Sequence, residues 1–539
     1  MKECKRLKVL EPRSALFALP LVLVCSLLGG QYGAAAKRPN AGSDTDLLDS
    51  VRIFTRVLSA IEDNYADPVD VDKAIYNGAI PGMLRTLDPH SNFFDPKLYK
   101  LMREDTAGRY YGVGMTVQQR GGRILVIEPF VGSPAFRAGI RPGDVVDQVA
   151  GQSTVNMTTS DVADRLKGPR GTPVKVVFLR EGSPKPLELV LTRDEIPRHS
   201  VDQAFDVAPG FGYIKLSTFN ETTSRELGEA LRKLDSTGLQ AVILDLRGNL
   251  GGLLNEGISV ADMFLDKGQV VVSHRGRSSP ERVYRVSAGN RGVTYPLVVL
   301  IDRSSASASE IVAGAIQDHD RGLVLGETSF GKGLVQNVYP LSENTGLALT
   351  IARYYTPSGR LIQRDFARLS LYDYYYTSQE RERNNESHAG QEVRTTDGGR
   401  LVYGGGGITP DVKFQSPRMG RVRQTLESRL AFFNFAKAYL AVHNTVPRDF
   451  QVTEEVMTEF RSFLEREKIA VTEEDLRAEQ ELVARRIQRE LLVFLYGRPE
   501  GDRVQIKADP LVLKAMELTP KAKELAENAR RIIAQRRAQ

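Results

Sequence analysis

Leu297-Val-Val-Leu-Ile301 is a strand-length run with no polar residue in it, and three comparable runs flank it: Tyr213 to Leu216, Ala241 to Leu246 and Leu323 to Gly326. Helical stretches start between them, near Ser224, Leu253 and Ser307. Strand and helix therefore alternate from Gly212 to about Val412, and that alternation predicts a layered α/β core. A Tyr-rich and charge-rich insert, roughly Asp365 to Arg400, interrupts the pattern and reads as a surface excursion.

Three other textures surround this core, as expected of a 539-residue chain too long for one hydrophobic core. Residues 44 to 104 read as helical, with Leu47, Val51, Phe54, Val57, Leu58 and Ile61 on one face and breaks at Asp67-Pro68 and Asp88-Pro89. From about Gly108 to Arg193 short β runs (Met115 to Gln118, Ile124 to Glu128, Val145 to Val149, Val174 to Leu179, Leu187 to Leu191) enclose one helix, Thr159 to Leu166. The last 120 residues are helical and charged. There Thr472 is an N-cap, and Leu476, Leu482, Val483, Ile487, Leu491 and Leu495 form one stripe that ends at Gly497 and Pro499.

The first 36 residues stand apart. Lys2, Lys5, Arg6, Lys8 and Arg13 precede an apolar run from Ala15 to Leu28, and Ala34-Ala35-Ala36 offers small residues for cleavage. This is the pattern of a secretory signal peptide cut before Lys37. The alternative is a retained anchor, but the run is short of the roughly 20 residues a membrane span needs and contains Pro20. Both cysteines, Cys4 and Cys25, fall in this segment, so the exported chain has no thiol nucleophile, disulfide or Cys-type zinc site. Without residues 1–36, which hold five basic and two acidic side chains, the formal charge falls from +6 to +3, and nothing points to a nucleic-acid partner.

The candidate chemistry lies in the core. Ser307 sits in the turn Ser304-Ser-Ala-Ser-Ala-Ser-Glu310 after the Leu297–Ile301 strand, and Lys332, in Phe330-Gly-Lys-Gly333, follows the next strand. A β-α-β unit brings both to the carboxyl edge of the sheet, where sites in open α/β sheets lie. A serine hydroxyl needs a neighbour to take its proton, and a lysine serves only when burial lowers its pKa by roughly three units so that the amine is neutral. Gln336 offers a carbonyl oxygen that orients the amine without adding charge. Backbone N–H groups of Gly251 or Gly252, in the loop Arg247-Gly-Asn-Leu-Gly-Gly252, together with that of Ala308, are candidates for an oxyanion hole.

Plainer readings compete. Ser307-Ala-Ser-Glu310 also fits a helix capping box, and a lysine between glycines is usually a solvated turn residue. Gly326-Glu-Thr-Ser-Phe-Gly-Lys332 matches seven positions of a phosphate-binding P-loop, but Gly333 replaces the Ser or Thr, and Leu334 to Tyr339 reads as a strand where a helix should begin. There is no Gly-x-Ser-x-Gly elbow and no His-Glu-x-x-His motif. His319, beside Asp318, is three helical turns from Ser307. No metal or cofactor is expected.

The β-rich module contains Tyr111-Gly-Val-Gly-Met115 and Gly132-Ser-Pro-Ala-Phe-Arg-Ala-Gly-Ile-Arg-Pro-Gly-Asp144, and it resembles a PDZ domain. The resemblance implies that N–H groups of Gly112, Val113, Gly114 and Met115 receive a terminal carboxylate while the peptide adds as a strand. Val162 and Leu166 are then pocket walls or simply core. With Leu87-Asp-Pro-His-Ser91, Asp245-Leu-Arg-Gly-Asn-Leu-Gly-Gly252, Phe330-Gly-Lys-Gly-Leu-Val-Gln336, Tyr355-Thr-Pro-Ser-Gly359 and Gly407-Ile-Thr-Pro-Asp411 in order, the chain resembles the carboxyl-terminal processing, or tail-specific, serine proteases.

This resemblance implies a multidomain α/β fold: a protease core of the ClpP/crotonase-like layered type with an inserted PDZ domain and helical N- and C-terminal regions. The expected division is 1–36 signal peptide, 37–104 N-terminal helices, 105–194 PDZ domain, 195–418 Ser/Lys protease core and 419–539 C-terminal helices. It implies Ser307 as nucleophile rather than Ser305 or Ser309, Lys332 as base, Gln336 as its orienting partner and Asp318 as a supporting acid. It also implies an exported endopeptidase of a bacterial periplasm or envelope, acting on proteins with free, apolar C termini. A dimer through the helical regions is an implied partner, and whether the C-terminal helices dimerise, bind an adaptor protein or only cap the core is open. The competing class is a catalytically silent PDZ scaffold.

Overall fold

The computed structural model describes residues 44–292, 294–367, 369–377, 391–415 and 419–538. The expected signal peptide, residues 1–36, lies outside them, and among the described residues no helix is long and apolar enough to cross a membrane. The chain divides into two units, Met1–Ile80 and Pro81–Gln539. In the first, the three-and-four spacing of apolar residues gives the helix Asp44–Asn64, and Asp70 caps the next helical turn by accepting from Lys73 N–H at 3.0 Å. Leu47, Val51, Phe54, Val57 and Ile61 all stay exposed.

The first strand of the second unit, Asn92–Phe94, lies inside the stretch read as helical. Asp88 stops the helix there by accepting from the N–H groups of His90 and Ser91, and Phe93 then pairs with Leu347. The helix Pro96–Ala107 leads into the β-rich module, an antiparallel sheet ordered Met115–Arg120, Arg123–Pro129, Val145–Val149, Pro173–Leu179, Leu187–Thr192, with Gln152–Ser153 added to the third. The helix Thr159–Leu166 covers it, started by a capping box between Thr158 and Asp161. Met115–Arg120 ends the sheet, with one edge paired and the other open among the described residues.

The core sheet runs Val201–Ala208, Phe211–Leu216, Ala241–Asp245, Leu297–Ile301, Leu323–Gly326, Val412–Lys413, parallel except for the first strand. The fully apolar strand is explained by period-two geometry. Leu297, Val299 and Ile301 face the helices Thr223–Asp235, Leu254–Asp262 and Ala308–Asp318. Val298 and Leu300 point the other way, onto Leu511, Val512, Ala515 and Ala522 of the last two helices, Pro510–Glu517 and Thr519–Ala538. The C-terminal region thus supplies the second cover of the core. At roughly 1.5–3 kcal/mol per buried aliphatic side chain, that cover contributes several kcal/mol.

A second, antiparallel sheet of Asn92–Phe94, Gly346–Tyr355, Val270–Gly276 and Ser279–Arg285, with Leu334–Pro340 also along Gly346–Tyr355, was legible only at Leu334–Tyr339. Its outer strand Ser279–Arg285 is mostly exposed and polar and carries no apolar alternation to read. The C-terminal stripe expected as one helix is two, Glu473–Ala478 and Gln480–Tyr496, joined at Glu479 (φ −110°, ψ 19°). Gly497 ends the second, as read, with φ +87°.

Asp318 and Arg360 form an ion pair at 2.7 Å with side chains 1% and 0% exposed, and Arg360 also donates to Gln317 Oε1 and the Tyr403 carbonyl. Removing one partner of such a pair leaves the other charged and dry. Arg360→Ala is expected to lower unfolding free energy by about 3–5 kcal/mol, read from urea denaturation; a loss below about 1 kcal/mol contradicts this account.

Candidate active site

The strand Leu297–Ile301 ends at Asp302, whose carboxylate accepts from the N–H groups of Ser304 (2.9 Å), Ser305 (3.0 Å) and Gly248 (3.0 Å). Ser305 Oγ donates to the Leu246 carbonyl at 2.9 Å and Ser309 Oγ to that of Asn249 at 3.0 Å; both serines are fully buried. They staple the turn to the glycine loop Arg247–Gly252, and their hydroxyls are spent. Ser307, between them, is half-buried and adopts φ +54°, ψ −112°. A non-glycine residue held there stores about 1–3 kcal/mol of strain. A sharp, strained strand-to-helix turn of this kind exposes a serine hydroxyl at the top of a sheet, here without flanking glycines.

Glu310 holds the turn to the lysine loop. Its fully buried carboxylate accepts from Ser307 N–H (2.7 Å) and Lys332 N–H (2.9 Å) through Oε2, and from Gly331 N–H (2.7 Å) and Ser329 Oγ (2.6 Å) through Oε1. Phe330 N–H adds a bond to the Ser305 carbonyl at 2.9 Å. The glutamate expected to cap a helix does so and also carries the Lys332 backbone. Burial pushes its carboxyl pKa up against those four donors.

Lys332 is half-buried, and Nζ donates to Gln336 Oε1 at 2.9 Å. Gln336 Nε2 donates in turn to the His90 carbonyl at 2.6 Å, which sets the amide orientation. Among the described residues, Nζ and Ser307 Oγ share no hydrogen bond. Burial lowers the Lys332 pKa, and the nearby Glu310 charge opposes that only in part. Gly331 and Gly333 permit the close packing: a Cβ on Gly333 would lie 2.9 Å from Gln363 N, and Gly331 has φ +89°.

Of the three candidate oxyanion donors, Gly251 N–H is engaged by Asn249 Oδ1 at 2.8 Å. Gly252 and Ala308 N–H make no hydrogen bond among the described residues. A Cβ on Gly251 would lie 2.6 Å from the Ala306 carbonyl oxygen and 2.8 Å from Ser307 Cβ, so only glycine lets the loop approach the serine.

A sequence model of Peptidase family S41 matches residues 210–367, one of PDZ domains matches 129–180, and one of a probable PDZ-protease C-terminal helical domain matches 422–482. The carboxy-terminal-processing protease of Bartonella bacilliformis is 42% identical over 316 residues, covering 58% of this chain and 72% of its own. The chain belongs to the carboxy-terminal processing proteases. It is a serine-type protease with a PDZ domain. The Bacillus subtilis carboxy-terminal processing protease CtpA is 35% identical over 312 residues, covering 58% of this chain and 66% of its own. The solved photosystem II D1 C-terminal processing protease is 34% identical, with 58% of this chain and 90% of that one covered at a TM-score of 0.32.

In the PDZ domain of this protease, Val113, Met115, Val162 and Leu166 share one buried cluster, with Val162 at 0% and Leu166 at 5% exposure. Their side chains are core. Gly114 has φ +76°, and its carbonyl accepts from Ser133 Oγ (2.8 Å) and Phe130 N–H (3.0 Å). Gly112 pairs with Asp194. Asp318 is spent on Arg360 and on Ser358 N–H (3.0 Å), at the far end of the helix that follows Ser307. His319, at the same end, bonds Asp397 and the Val270 carbonyl, both at 2.7 Å.

Two contributors were not legible in the sequence of the protease. His90, noted only as part of a motif, holds Gln336; burial and then the Lys332 charge push its pKa down to about 4, so the ring is neutral at pH 7. The insert expected at the surface sends Tyr374 inward, 1% exposed, where its hydroxyl meets His90 Nε2 at 2.9 Å and its ring packs edge-on against Phe330. Four tyrosines in five residues gave the only signal. Glu310→Gln, which turns an NH2 against N–H donors, is expected to cost about 2–3 kcal/mol in urea denaturation and to lower cleavage at least tenfold; wild-type values in both would separate the clamp from the site.

Proposed function

We propose that the protein is an exported serine endopeptidase that captures free C-terminal tails of proteins on its PDZ domain and hydrolyses them with Ser307 and Lys332. One observation carries the reading. The Lys332 amine is desolvated and held by a neutral amide, while the Glu310 carboxylate ties its backbone to that of Ser307. A lysine so placed gives up its proton more readily than a solvated one and can act as a base.

As Ser307 Oγ attacks the scissile carbonyl, Lys332 takes the hydroxyl proton, and the N–H groups of Ala308 and Gly252 receive the oxyanion. The lysine ammonium returns that proton to the departing amine. Water then attacks the acyl carbonyl, Lys332 takes its proton, and the ammonium passes that proton to Ser307 Oγ as the acyl bond breaks. Gln336, fixed by the His90 carbonyl, keeps the amine directed throughout. No metal takes part. The two-sided sheet supports a core of the ClpP/crotonase-like layered type.

The open edge of Met115–Arg120, beside Thr159–Leu166, supports strand addition of a tail whose carboxylate meets the N–H groups of Gly112 to Met115. The N-terminal 36 residues support export to a periplasm or envelope. The exposed stripe on Asp44–Asn64 supports pairing with a second copy.

Ser307→Ala and Lys332→Ala are each expected to abolish cleavage of a protein with an apolar C terminus while leaving tail binding intact; full activity in either ends the mechanism, and binding without cleavage by the wild type favours a silent scaffold. Chelators leave the rate unchanged. Because the neutral amine is the active form, kcat/KM rises with pH through the lowered Lys332 pKa and levels off below the roughly 10.4 of a solvated lysine. A profile that first rises above about pH 10 contradicts the desolvated base. Amidating the tail weakens binding to the PDZ domain by about tenfold or more through loss of charge-assisted bonds; equal affinity in calorimetry removes the carboxylate from recognition.

A further inference from the structure

Residues 497–511 of the C-terminal region touch the PDZ domain at one end and the glycine loop at the other. At the first, Arg498 opens the helix Arg498–Lys507 and donates to Glu128 twice, from its backbone N–H (3.0 Å) and from Nε (2.9 Å). Glu128 is 6% exposed and stands across the strand pair from Thr116, next to Met115. Gly497 precedes it with φ +87°, and a Cβ there would lie 2.7 Å from Val131 Cγ2. The helix, about 15 Å long, then runs beside the core strand Val201–Ala208, where Gln203 Nε2 donates to the Pro499 carbonyl and Arg503 lies over the Phe205 ring.

At the second point Asp509 divides its two oxygens. Oδ1 accepts from Leu511 N–H at 2.8 Å and caps the helix Pro510–Glu517, while Oδ2 pairs with Arg247 Nη1 at 2.9 Å. The rest of the Arg247 guanidinium is taken by Asp245, through Nε at 3.0 Å and Nη2 at 2.6 Å. Arg247 is the first residue of the glycine loop, and its carbonyl accepts from Lys215. From there the loop is held at three further residues: Gly248 N–H on Asp302, Asn249 Nδ2 on the Leu216 carbonyl, Gly251 N–H on Asn249 Oδ1. Gly252 is next.

We propose that the segment Gly497–Leu511 is a strut that sets the glycine loop, with Asp509 as a positioning residue that fixes Arg247 and, through it, the N–H of Gly252. The inference rests on the function proposed above, in which that N–H receives the oxyanion. Arg247 borders a cavity of about 600 Å³ that also presents Asp202, Asp302 and Asp502. Without Asp509, one fork of the guanidinium has other carboxylates to turn to, and the start of the loop moves with it. An oxyanion exists only in the transition state, so a displaced donor lowers kcat and leaves ground-state affinity alone.

Asp509→Asn separates this role from helix capping. Asn is an N-cap as good as Asp, but with Oδ1 kept on Leu511 N–H its amino group faces the guanidinium. In the full-length protein, kcat is expected to fall about tenfold with KM and affinity for a free-tail peptide unchanged and the melting temperature within about 2 °C. Amide hydrogen exchange should quicken in residues 247–254 and not in 308–318. Asp509→Glu, which restores the charge, should recover most of the rate. Wild-type kcat in Asp509→Asn, or unchanged exchange in 247–254, overturns the strut. If the wild-type protein cleaves nothing, the functional reading falls, and the exchange comparison still decides this one: quicker exchange upholds it and equal exchange overturns it.

Discussion

One buried carboxylate organises the site. Glu310, fully buried, accepts four hydrogen bonds and has no ion-pair partner within salt-bridge distance among the described residues. Burying a carboxylate costs several kcal/mol unless its lone pairs are filled, and here backbone N–H groups from two separate loops fill them. The desolvation penalty therefore enforces geometry: if either loop moves, a dry charge loses its donors. The same charge favours protonation of Lys332, yet the lysine pKa goes down because its own burial is the larger effect. The clamp and the lowered lysine pKa coexist because the glutamate bonds the Lys332 backbone, while the amine is handed to Gln336.

Strain is stored beside the clamp and balanced by it. Ser307 at φ +54° is held on one side by Glu310 and on the other by Tyr354, whose hydroxyl donates to the Ser307 carbonyl at 3.1 Å. The neighbouring serines are chemically identical but differ in what surrounds them. Ser305 and Ser309 are fully buried and bond the carbonyls of Leu246 and Asn249, whereas Ser307 between them is only half-buried.

The C-terminal helices change the meaning of the core. A stripe of apolar residues near the end of a chain reads as packing of unknown purpose, and several functions were open for it. That stripe, through Leu476, Val483, Ile487 and Leu491, packs within the C-terminal region itself, whereas Leu511, Val512 and Ala515 close over the face of the sheet made by Tyr213, Ile243, Val298, Leu300 and Leu323. Because that cover is continuous with Asp509, it also reaches the Arg247 end of the glycine loop.

Much of this was legible in the sequence because it depends on residue type and spacing. Apolar runs gave the strands, Leu297–Ile301 and Leu323–Gly326 among them to the residue, and the motifs gave Ser307, Lys332, Gln336 and the glycine loops in order. What the tertiary structure alone decided depends on neighbours far along the chain: that Tyr374 is buried on Phe330, that His90 orients Gln336, that Gly251 N–H is taken while Gly252 N–H is not, and that Glu310 serves two loops. Hydrogen bonding capacity is a property of a residue and can be read from its name. Desolvation and the direction in which an N–H points are properties of its surroundings, and they exist only once the chain has folded.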